Sequence, residues 1–105
     1  MTMGYIYAVT VQIQLSRHDE WLAYMKGGHI QDVLDTGCFS KASMTKVLKE
    51  DEREGFTYTI HYHFDDFSSF TTYEEMHAPK LQEEHQKLFD GKFLAFRSIH
   101  RVITL

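Results

Sequence analysis

A chain of 105 residues has room for one hydrophobic core and hence one domain. Its 43% hydrophobic and 14% aromatic content excludes an intrinsically disordered segment. Its net charge of −4, with acids and bases interspersed, excludes the basic face that nucleic acid or an anionic membrane surface demands.

The single cysteine, Cys38, rules out an internal disulfide. No apolar run reaches membrane-spanning length, and Met1-Thr2-Met3-Gly4-Tyr5 carries no signal-peptide pattern. The expected compartment is a reducing cytoplasm.

Residues 5–15 alternate, with Tyr5, Tyr7, Val9, Val11, Ile13 and Leu15 on one side and Ile6, Ala8, Thr10, Gln12 and Gln14 on the other. A period of two in β-branched and aromatic residues predicts a strand. Ser16 then stands as an N-cap, and Asp19 and Glu20 put negative charge in the turn that follows. The pattern predicts a helix over residues 16–36, stopped by Gly37 in a left-handed C-cap. Gly27-Gly28 interrupts it; each interior glycine costs about 1 kcal/mol against alanine, which predicts a weak turn or kink.

Residues 39–48 form a less regular strand, with Met44, Val47 and Leu48 as its apolar part. The charged run Glu50-Asp51-Glu52-Arg53-Glu54-Gly55 is a turn, so a hairpin follows. Phe56, Tyr58, Ile60, Tyr62 and Phe64 alternate with Thr57, Thr59, His61 and His63, the clearest strand in the chain. Asp65, Asp66, Ser68 and Ser69 offer caps for a second helix that runs to about residue 89, broken near Pro79 for want of an amide hydrogen. Asp90-Gly91 turns the chain into a last strand over residues 93–103, with Arg97 in its middle.

The order β-α-β-β-α-β predicts an α+β, ferredoxin-like domain: a four-stranded antiparallel sheet with two helices on one face. The opposite face is then solvated or a dimer surface.

Helical spacing places Leu22, Met25, His29 and Val33 on one stripe of the first helix. On the second it places Phe70, His77, Leu81 and Leu88, with Glu74 beside them. Both stripes must face Tyr5, Tyr7, Val9 and Val11 of the first strand and Tyr58, Ile60 and Tyr62 of the third. Buried imidazoles and phenols require partners, which they find in one another or in a ligand. His29 and His77 are therefore the candidate acid/base residues, and Tyr7, Tyr58, Tyr62 and Arg97 the candidate ligand-binding residues. The alternative is that these histidines are structural.

His61 and His63 share a strand face and could hold a metal, but nothing beside them completes a ligand set, so no metal site and no cofactor is predicted. With Thr57 and Thr59 they are expected to line a subunit interface. Cys38 reads as a small hydrophobe at a strand start. Arg97 is expected to pair with Glu74 or Glu84, or to bind an anion.

Tyr5-Ile6-Tyr7, the Trp21, Met25, His29-Ile30 helix, Thr36-Gly37-Cys38-Phe39, His77-Ala78-Pro79 with Leu81, Glu84-His85, and Phe96-Arg97 together resemble an uncharacterised bacterial domain-of-unknown-function family. Gly27-Gly28 and Gln31 depart from its pattern, standing where charged helix formers and a proline are usual. That family is similar to the dimeric α+β barrel proteins, in which two ferredoxin-like subunits pair their sheets. The resemblance implies a homodimer with a pocket between sheet and helices. A small aromatic or polyketide-like ligand and cofactor-independent monooxygenase- or cyclase-like chemistry would fit such a pocket.

Overall fold

The computed structural model describes residues 4–48 and 51–105. Residues 1–3, part of the leader reading, and Glu50, the first residue of the predicted charged turn, lie outside the described residues. The elements run β1 (Tyr5–Gln14), a 3-10 turn (Leu15–Arg17), α1 (His18–Tyr24), a π-helical turn (Met25–His29), α2 (Ile30–Asp35), β2 (Lys41–Lys46), β3 (Gly55–Phe64), α3 (Phe67–Met76), α4 (Ala78–Phe89) and β4 (Phe93–Arg101). The strands lie in the order β2-β3-β1-β4, all neighbours antiparallel. This is the split arrangement of a ferredoxin-like domain.

Register explains which face is buried. Tyr7 pairs with Tyr62 and Ile99, Val9 with Ile60 and Arg97, and Val11 with Tyr58 and Ala95. The side chains of these residues share one face. Trp21, Met25 and Val33 from the first helical layer and Phe70, Tyr73, Ala78 and Phe89 from the second join Tyr7, Val11, Ile60 and Tyr62 in one core cluster. Both helical layers therefore cover the same face of the sheet. The opposite face carries Thr10, Thr59, His61 and His63, with Thr10 and Thr59 hydroxyls 3.0 Å apart.

The first helix bends where expected. Gly28 has φ 171° and ψ −34°, and the helix widens to π geometry over Met25–His29. Such widening is frequent at functional sites. Gly37 adopts φ 79°, the left-handed stop the sequence predicts. The helix start is different: a 3-10 turn intervenes, Arg17 precedes the first α-helical residue, and Ser16 does not cap it. At the second helix Asp66 does cap, its side chain accepting from the Ser68 amide at 2.9 Å. Gly55 is required sterically, since a Cβ there would meet the Ile13 carbonyl oxygen at 2.2 Å.

The break between α3 and α4 falls at His77 (φ −124°, ψ −40°), two residues before Pro79, which sits in the first turn of α4. Proline is well suited there, where its missing amide hydrogen has no intrahelical partner. The interruption resets the helical phase, and that reset decides which histidine reaches the core.

Candidate functional site

The residues of α4 that turn inward are Ala78, Leu81, His85 and Phe89, spaced three and then four apart from the start of that helix. His85, 8% exposed, is the buried histidine of this layer. His77, predicted for that role, sits instead at the α3–α4 junction, half-buried, with its ring stacked on Tyr73 at 6.4 Å. Leu88, also predicted inward, is 46% exposed. Carrying the phase of α3 across the break misplaces Leu88, and His77 falls at the break itself. Counting afresh from Ala78 points to His85.

His29 lies where the sequence places it. It faces His85 across the interior, with ring centroids 5.8 Å apart. The two imidazoles have different partners. The Trp21 indole Nε1–H donates to His85 Nε2 at 2.9 Å. An indole nitrogen only donates, so His85 Nε2 is the acceptor and the ring proton sits on Nδ1. His29 Nδ1 lies 3.0 Å from the Tyr24 hydroxyl, with the two rings stacked at 5.0 Å. Burial pushes His29 below its ordinary pKa, against the nearby carboxylates of Glu84 and Asp32. Burial also pushes His85 down, to about 4, and a protonated His29 and the charged Arg97 act in the same direction. Both rings are neutral at pH 7.

Tyr7, Tyr62 and Tyr73 form the opposite wall. Burial raises all three phenol pKa values, so each keeps its proton and remains able to donate. Arg97 and Gln82 approach the Tyr7 hydroxyl and act against that rise. Arg97 makes no ion pair with Glu74 or Glu84 among the described residues, contrary to the first of its two expected roles. Tyr58 faces the helices but belongs to a different cluster. Its hydroxyl lies 2.7 Å from His18 Nε2, and its ring lies 5.3 Å from Trp21, away from the chamber between His29 and His85.

These groups surround a chamber of about 40 Å³, lined by His29, His85, Tyr7, Tyr62, Tyr73 and Arg97 among others. It adjoins a cleft of about 450 Å³ whose walls include Phe70, Ala78, Pro79, Ile99 and Glu74. Tyr7, Tyr73, Gln82 and Arg97 line both spaces. The chamber has the volume of one or two waters, whereas the cleft falls within the range of about 300–1,000 Å³ that small-molecule sites occupy.

Among the described residues, no group of three or more histidines, cysteines or carboxylates is placed to hold a metal. His61 Nε2 lies 3.2 Å from the Thr45 hydroxyl on the outer face. The half-buried Cys38 packs against the core. Among the described residues, no helix is long and apolar enough to cross a membrane.

A family model described as "Domain of unknown function (DUF4286)" matches residues 4–103. No curated protein matches the sequence. Among solved structures, a dimeric ferredoxin-like protein from an uncultured marine organism is similar with TM-score 0.70 and 15% identity, covering 98% of each chain. An ethyl tert-butyl ether d (ethd) family protein from Bacillus halodurans is similar with TM-score 0.70 and 13% identity, covering 94% of this chain and 99% of that one. A Streptomyces coelicolor monooxygenase, solved with nanaomycin D, has TM-score 0.60 and 14% identity, covering 98% of this chain and 92% of that one. At these identities the likeness is one of fold.

Proposed function

This chain belongs to the DUF4286 family, and we propose that it is a homodimeric small-molecule-binding protein that acts as a cofactor-independent enzyme, monooxygenase- or cyclase-like, on a planar aromatic or polyketide-like ligand. The observation that carries this reading is the cleft opening onto a chamber with two neutral imidazoles. The ligand's ring system lies in the cleft, and its reactive edge meets the chamber. His29 is the base. When its Nδ1–H donates to the Tyr24 oxygen, Nε2 is a free acceptor for a proton from the ligand. Tyr7, Tyr62 and Arg97 orient the ligand, and His85 takes the place the sequence reading gave to His77. The fold likeness to a monooxygenase solved with nanaomycin D is consistent with this chemistry.

A hydroxynaphthalene is a suitable probe. The native protein should raise oxygen uptake above the background autoxidation of this compound. His29→Ala should lose at least about tenfold of that rate, since acid–base groups contribute about 10²–10⁴, while its unfolding midpoint stays close to the native value. No uptake by the native protein, together with no ligand-induced change in its histidine NMR signals, would overturn the reading.

The second reading is a non-catalytic homodimer with structural histidines. It is favoured by the internal partners that Trp21 and Tyr24 supply to the two rings. On that reading His29→Ala loses stability and no activity.

The homodimer forms through the helix-free face. There β4 exposes Leu94 and Phe96, at 72% and 63%, beside Thr10, Thr57 and Thr59. Large apolar side chains on an open sheet face favour a partner, and His61 and His63 lie on the same face. Phe96→Glu should shift the protein from dimer to monomer in sedimentation experiments without unfolding it, because Phe96 makes little contact within its own chain.

A further inference from the structure

The junction between chamber and cleft is built from hydrogen-bond donors. Tyr7 and Tyr73 bring hydroxyls, Gln82 an amide and Arg97 a guanidinium, and all four line both spaces. His85 also lines the chamber. Its Nε2 is occupied by Trp21, so its remaining hydrogen is fixed on Nδ1, and nothing within the described residues accepts it. No carboxylate lines the chamber; Glu74 lines the cleft outside it. Polarity is therefore graded along the site, negative at the cleft wall and positive at the neck. Arg97, without an ion-pair partner among the described residues, supplies the positive charge.

Size adds a second constraint. A chamber of about 40 Å³ admits a group the size of a carboxylate and excludes a ring. The cleft beside it, walled by Phe70, Ala78, Pro79 and Ile99, has the volume and the apolar surface for a planar ring system. Reversing the ligand would bring an anion against Glu74 and leave the donors of the neck unmatched, which disfavours that orientation.

We propose that the ligand of this site is a planar apolar acid, bound with its rings in the cleft and its carboxylate at the neck, held by Arg97 and by the fixed Nδ1–H of His85. This rests on the cleft being a ligand site and adds the ligand's charge and orientation. His85 is thereby a specificity-determining residue, and Trp21 positions it by fixing its tautomer.

The test compares 2-naphthoate with 2-naphthalenemethanol, which has the same rings and no charge, by titration calorimetry on the native protein at pH 7. The acid should bind about tenfold or more tightly than the alcohol, the size of effect expected for a charge-assisted contact. Arg97→Gln, at an exposed position on an edge strand, should bring the two affinities close to parity by weakening the acid alone. His85→Phe should do the same in part; if it fails to fold, Arg97→Gln carries the test by itself. Equal binding of the two probes, tighter binding of the alcohol, or a preference that survives Arg97→Gln overturns the carboxylate assignment and leaves the ligand site standing. If neither probe binds up to millimolar concentration and the histidine NMR signals do not move, the ligand site falls as well.

Discussion

Trp21→Ala should lower stability by about 4 kcal/mol, the middle of the range for deleting a buried aromatic side chain. Trp21 is fully buried and packs 5.3 Å from Tyr58. Small domains hold about 5–15 kcal/mol in total, so much of the variant population should be unfolded at 37 °C. Trp21→Phe separates packing from hydrogen bonding. It keeps most of the aromatic volume but removes the donor to His85 Nε2, and an acceptor left unsatisfied indoors costs about 1–3 kcal/mol. The expected loss is about 2 kcal/mol. Urea unfolding followed by far-ultraviolet circular dichroism measures both, since the chain has no second tryptophan to serve as a fluorescent probe. A Trp21→Phe protein as stable as the native one would mean that the indole–imidazole bond contributes nothing to the fold.

The importance of that bond was hidden in the sequence for a physical reason. Strand alternation reports which face a residue occupies, and Tyr7, Val11, Ile60 and Tyr62 are all buried where a period of two puts them. Gly37 and Gly27-Gly28 are also legible, because a left-handed stop and a weakened turn follow from the residue type itself. Helical phase is legible only within one unbroken helix. His29 survives the π-helical turn because it lies at the end of that turn, whereas His77 lies at the break before Pro79 and loses its place to His85. The pairing of Trp21 with His85 joins residues 64 positions apart and depends on how α1 and α4 lean together over the sheet. No local pattern encodes that angle. The motif Glu84-His85 was visible, but its direction could only be read once the start of α4 at Ala78 was known. Tyr58 illustrates the reverse case. Its face is correct, yet position along the strand puts it under Trp21 and His18, away from the chamber.

Acid should destabilise the protein before its carboxylates titrate, and His85 should be a principal cause. Its folded pKa is about 4, against an unfolded value of about 6.5. Above pH 6.5 both states hold the ring neutral, and His85 adds no pH dependence. As the pH falls below 6.5 the unfolded chain takes up a proton that the folded chain refuses, so stability declines until the folded ring itself protonates near pH 4. The full shift corresponds to about 3 kcal/mol, reduced to about 2 kcal/mol by solvent screening. His29 acts in the same direction. Burial is its largest influence, and Glu84 and Asp32 oppose it, so its share is smaller. The groups facing His85 from the other elements are Trp21 and Tyr24 of α1, His29, and Phe93 and Arg97 of β4. None of them is an acid that would stabilise the charged ring. Urea midpoints measured from pH 7.5 to pH 4.5, with histidine ring signals followed by NMR, should show the decline and a His85 signal that does not titrate until the lower end. The two predictions are coupled through one atom. A protonated His85 Nε2 cannot accept from the Trp21 indole, so the bond that stabilises the core also favours the neutral ring. Trp21→Phe should therefore raise the His85 pKa as it lowers stability at neutral pH. That variant's pH profile should be flatter than the native one over pH 4.5–6.5. A His85 that titrates identically in both proteins would show that burial alone, and not the indole, sets its charge.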